Sequence, residues 1–76
     1  MGEPALEDVV RWARENGATT VGIRIEPARP SYWVCLTTPD YRHAVGSSAL
    51  SIAQAWADAQ SEWRILAMRG HAKAKD

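Results

Sequence analysis

The chain has a single cysteine, Cys35, no phenylalanine, and two lysines against seven arginines. One thiol excludes an internal disulfide and fits a reducing compartment. It also leaves Cys35, His43 and His71 as the only soft or imidazole ligands, without the paired short-spaced motifs of structural zinc. No metal and no cofactor are expected. Long hydrophobic runs are missing, and nothing approaches the ~20 apolar residues of a membrane span. The opening MGEPALEDVV is acidic and lacks the apolar segment of a secretory signal. Leu6 stands where a myristoylation signal needs Ser or Thr. A cytoplasmic location is the expectation. Net charge is lacking as well, since nine basic residues balance nine acidic ones. That argues against a protein whose main work is gripping phosphates, and no Gly-rich phosphate loop is present.

What is there fits one small globular domain spanning 1–76. Apolar residues make up 46% of the chain and charged ones 24%, an ordinary balance for a folded protein. A domain of this size buries only ~60% of its unfolded surface, so its core is thin and leaves little room for a catalytic cleft. The reading is of a protein that is not an enzyme. Four tryptophans in 76 residues are many, and Trp both fills cores and dominates binding hot spots.

Hydrophobic spacing predicts a helix over 4–16. Pro4 suits its first position. Leu6, Val9, Val10 and Ala13 form its apolar stripe, Glu7–Arg11 and Arg11–Glu15 have ion-pair spacing, and Asn16-Gly17 supplies the stop. Residues 20–26 alternate as a strand, with Val21, Ile23 and Ile25 on one face. After the Pro-Ala-Arg-Pro turn at 27–30, residues 31–38 alternate again. If the turn closes a hairpin, 26 pairs with 31, 24 with 33 and 22 with 35. Val21, Ile23 and Ile25 then lie beside Leu36, Val34 and Tyr32, and a one-residue slip would destroy the match. Thr38-Pro39-Asp40-Tyr41 reads as a type I turn. A short third strand follows over 41–45, ended by Gly46-Ser47-Ser48. A second helix begins there, with Ala49, Ile52, Ala53, Trp56, Ala59 and Trp63 as its stripe, continuing to Arg69. Residues 69–76 read as a flexible basic tail. The expected fold class is α+β: a three-stranded antiparallel meander with two helices on one face, in the order α-β-β-β-α.

Cys35 and His43 flank the second turn, so a thiol–imidazole nucleophile deserves a geometric check. An even-length turn centred on Pro39-Asp40 pairs 36 with 43 and points the two side chains to opposite faces. A bulged turn would shift the register by one and bring them to the same side. The plain reading is a small thiol on the sheet and a histidine beside the core. Asp58 and Glu62 have i,i+4 spacing off the apolar stripe, as on a solvated face.

The layout of three strands between two helices, with Gly46-Ser47-Ser48 opening an Ala-rich helix at 49–59, resembles the double-stranded-RNA-binding domain. That family starts its second helix with a basic cluster that clamps phosphates, whereas this chain has Ala49 and Leu50 there, with Ser51 and Gln54 nearby. The resemblance implies nucleic-acid binding as an alternative function, using Arg24, Arg29, Arg42 and the basic tail. In its small size, neutral charge and lack of chemistry the chain also resembles the compact phage-borne inhibitor proteins, of which anti-CRISPRs are one group. That resemblance implies an inhibitor or regulator acting on a larger protein complex.

With both helices on one side, the other face of the sheet shows Thr20, Gly22, Arg24, Glu26, Trp33, Cys35, Thr37, Arg42 and Ala44. Trp33 opposite Arg24 is the expected centre of a protein-binding surface, with Arg42, Thr37 and Trp12 as further partner-binding residues. Self-association through edge strands is a third expectation.

Overall fold

The computed structural model describes residues 4–72. Five elements follow one another: α1 (Leu6–Glu15), β1 (Thr20–Glu26), β2 (Ser31–Thr37), β3 (His43–Ser48) and α2 (Ile52–Met68). The sheet is antiparallel in the order β1-β2-β3, so the fold is α+β with the expected α-β-β-β-α order. Among the described residues no helix is long and apolar enough to cross a membrane.

The first hairpin has the register its pattern selects: Glu26 opposite Ser31, Arg24 opposite Trp33, Gly22 opposite Cys35. The second hairpin differs from the even-length turn. Tyr41 N–H donates to the Thr38 carbonyl (3.0 Å), closing the type I turn, and Thr38 N–H donates to the Arg42 carbonyl (2.8 Å). Tyr41 between them has φ 66°. A type I turn followed by a left-handed residue is the three-residue bulged hairpin. The extra residue sets Thr37 opposite His43, Leu36 opposite Ala44 and Cys35 opposite Val45. Ala44 is consequently buried on the helix side, not displayed on the outer face as expected, and Val45 takes its place outside. Arg42 lies in the turn itself rather than in a strand.

β3 also runs later than expected, carrying Gly46-Ser47-Ser48 inside the sheet. Gly46 is there for close approach: a Cβ at this position would overlap the Ala55 carbonyl oxygen and the Ala59 amide nitrogen of α2. The helix backbone thus rests directly on the strand, with Ala55 and Ala59 fully buried. Because the sheet takes three more residues, α2 starts at Ile52 instead of Ala49. Ser51 caps it, its hydroxyl accepting from Gln54 N–H (3.1 Å). The helix is then ~26 Å long at 1.5 Å per residue, close to the ~23 Å of a seven-residue strand.

Both helices end in the same way. Gly17 (φ 78°) and Gly70 (φ 84°) take the left-handed position. Ala18 N–H returns to the Ala13 carbonyl and His71 N–H to the Leu66 carbonyl, both at 2.9 Å. Residues 69–72 thus turn back toward the domain. Nδ1 of His71 lies 2.9 Å from Asp40 Oδ2, and Ala72 packs on the core. The remainder of the expected tail, 73–76, lies outside the described residues.

The core sits between α2 and strands β2 and β3, built from Val34, Leu36, Ala44, Ala55, Ala59 and Trp63. Trp12 stands edge-on to Trp56 (centroids 5.2 Å apart) and to Trp63 (6.1 Å), a geometry that aromatic quadrupoles favour. Trp12 is thus part of the core's edge, on the helix side of the sheet, and not a member of the outer-face binding surface. Trp63 Nε1 is buried without a hydrogen-bond partner among the described residues.

α1 is the loosely attached element. Val9 and Ala13 are buried, but Leu6 and Val10, expected on the same stripe, are 69% and 49% exposed. Arg11 reaches back to Asp8 (3.4 Å). α1 touches β1 only sparsely, whereas α2 covers β3 and β2. Val21, Ile23 and Ile25 do share the helix-side face, yet Ile23 and Ile25 remain 41% and 57% exposed.

Candidate functional site

Among the described residues no helix packs on the outer face of the sheet, and its side chains fall into rows fixed by the two registers. One row is Arg24, Trp33, Ser47. The next is Gly22, Cys35, Val45. The third is Thr20, Thr37, His43. Strand alternation alone decides this membership.

Trp33 is 38% exposed. The Arg24 guanidinium carbon lies 5.7 Å from its ring centroid, within cation–π range. The same guanidinium donates to Glu26 Oε1 at 2.7 Å, so Arg24 has an indole and a carboxylate as neighbours on this face. Beside it, Gly22 contributes no side chain. The result is a shallow trough of about 290 Å³ lined by Gly22, Ile23, Arg24, Trp33, Cys35 and Val45.

At the far end of this face the bulged turn brings Cys35 and His43 together. Sγ and Nδ1 are 3.6 Å apart, and Thr37 Oγ1 is 3.1 Å from the same nitrogen. In the tautomer protonated on Nε2, Nδ1 accepts from both the hydroxyl and the thiol. No carboxylate is among the hydrogen-bond partners described for His43. Among the described residues no three His, Cys, Asp or Glu side chains gather as a metal site would require.

Asp40 organises the tip of the second hairpin. Thr38 Oγ1 donates to its Oδ1, His71 Nδ1 approaches Oδ2 at 2.9 Å, and Arg42 Nε lies 3.6 Å away. The hydrogen bond from Thr38 and then that from His71 hold the Asp40 carboxyl below its ordinary value, with the nearby charges of His71 and Arg42 adding to the effect.

Of the five residues expected at a binding surface, Arg24, Trp33 and Thr37 share the outer face. Arg42 sits at its rim in the turn, and Trp12 is on the opposite side. Sequence reading missed Val45, whose side depends on the Tyr41 bulge. It also missed a second surface. On the helix side, Pro4, Leu6, Val9, Ile23, Ile25, Val34, Ile52 and Trp56 line an open apolar groove of about 210 Å³ between α1, β1 and α2. The available signal was the mismatch between one short helix and three alternating strand aliphatics, Val21, Ile23 and Ile25.

No protein-family model matches the chain, and searches of curated proteins and of solved structures also return no match.

Proposed function

We propose that this chain is a small non-catalytic protein-binding module that inhibits or regulates a larger protein complex, with the outer face of its sheet as the contact surface. The observation that carries the reading is Trp33: a partly exposed indole on a face with no helix over it, braced by Arg24. Trp and Arg are the residue types most enriched in binding hot spots. A β-branched residue, Val45, and the Gly22 trough beside it give a partner side chain somewhere to enter. A module of this kind acts by occupying a surface of the larger complex, in the manner of the small phage-borne inhibitors it resembles.

Nucleic acid is the less favoured partner. Arg24 and Arg42, two of the cations expected to grip phosphates, each have a carboxylate neighbour, at 2.7 Å and 3.6 Å. The start of α2 has no basic residue at 49–54. Phosphate contacts dominate nucleic-acid affinity, and this chain offers few on one face.

The test is affinity capture from candidate hosts, with a photo-crosslinking residue at position 33 and a control at Asp58 on the exposed side of α2. Crosslinks are expected from 33 and not from 58. Once a partner is identified, Trp33→Ala is expected to weaken it about 30-fold or more, as for loss of a hot-spot residue. Unchanged affinity in both Trp33→Ala and Arg24→Ala would remove the outer face from consideration.

A further inference from the structure

We infer that β1 is a self-pairing edge, through which two copies of this chain join antiparallel into one six-stranded sheet. The two edges of the sheet differ. The β3 edge is rich in Gly and Ser and is backed by α2. The β1 edge carries none of the devices that blunt an open edge on its helix side: no charge, no proline, no bulge among Val21, Ile23 and Ile25. Exposed apolar side chains gather there: Leu6 of α1 shares a groove with Ile23 and Ile25, and the exposed Val10 lies beside Val21 at the other end of the strand. Four such residues around an open strand edge mark an interaction surface.

The occupant is a second copy because β1 is complementary to itself in one register. With Ile23 on the twofold axis, all seven residues of 20–26 find a partner. On the helix side Ile23 meets Ile23, and Val21 meets Ile25, an unbroken β-branched row. On the outer side Thr20 meets Glu26, and Gly22 meets Arg24. Sliding the copies so that Arg24 lies on the axis would oppose two guanidiniums, which cross-strand pairing penalises. An odd offset would set isoleucines against charged residues. The favoured register places the Arg24 of each copy over the other's Gly22, where the absent side chain leaves the outer-face trough. It also sets the two α1 helices on the same side of the joined sheet, with their exposed Leu6 and Val10 toward the seam. The zero net charge of the chain adds no long-range repulsion between copies.

The inference does not depend on the partner-binding reading, and its test is separate from that one. Sedimentation velocity over a wide concentration range is expected to show a monomer–dimer equilibrium. A Cβ at position 22 has Cys35 Cβ at 3.9 Å as its nearest contact, so substitutions there leave the monomer folded, which circular dichroism checks. Gly22→Lys, facing Arg24 of the other copy, is expected to weaken the dimer about tenfold, while Gly22→Glu is expected to preserve or tighten it. In a Cys35→Ser background, Ile23→Cys on the axis is expected to form an intermolecular disulfide under mild oxidation. Ile25→Cys, which faces position 21, is expected not to. A chain that stays monomeric throughout overturns the inference. So does a dimer that responds alike to Lys and Glu at position 22, or that crosslinks through position 25 instead of 23.

Discussion

One tyrosine decides the register of half the sheet. A non-glycine residue in the left-handed region costs on the order of 1 kcal/mol, and Tyr41, 84% exposed, has no burial to offset it. Tyr41→Gly is expected to stabilise the chain by about 0.5 kcal/mol, and Tyr41→Val to destabilise it by about 1 kcal/mol, in urea unfolding. The Tyr41 backbone also explains why Cys35 and His43 meet, since without the inserted residue they would face opposite sides. The Asp40 cluster at the same tip carries a pH signature. Its carboxyl titrates below the unfolded value, so its contribution is complete above the unfolded pKa. That contribution is lost as pH falls through the folded one. Asp40→Asn is expected to lower stability near neutrality and to flatten the acid limb of the stability–pH curve below about pH 4, so that the two curves converge in acid. An unchanged acid limb in the variant would remove Asp40 from that role.

Among the elements, β3 and α2 form the rigid pair and α1 the loose one. The contact between β3 and α2 depends on the absence of a side chain at Gly46. Gly46→Ala forces the helix off the strand and is expected to cost about 1–3 kcal/mol, lowering the melting temperature by roughly 4–8 °C per kcal/mol. By contrast, α1 rests on Val9, Ala13 and the Trp12 edge contacts. Hydrogen exchange is expected to report earlier opening of α1 than of α2. The first hairpin was legible because its alternation admits one register. The second was not, because type I turns with and without a left-handed fourth residue look alike when that residue is tyrosine instead of glycine or asparagine. Gly46 reads as punctuation in the sequence and works instead as the closest point of packing. Local spacing contains no information about which helix lies over which strand.

At the scale of the molecule, three strands and two unequal helices leave two surfaces open: the outer face around Trp33 and the groove beside β1. Two of the cations expected to bind phosphate, Arg24 and Arg42, sit beside Glu26 and Asp40, so double-stranded RNA is expected to run unshifted by this protein in a low-salt gel assay. The sequence alone determined the α-β-β-β-α order, the first hairpin's pairing and the outward side of Trp33, because periodicities of two and 3.6 are local properties of a chain. Tertiary structure decided the rest. Which aliphatics remain uncovered, where Trp12 packs and which residues gather at the sheet's far end all follow from how closely α2 settles onto Gly46. They follow equally from how little of β1 a ten-residue α1 can shield.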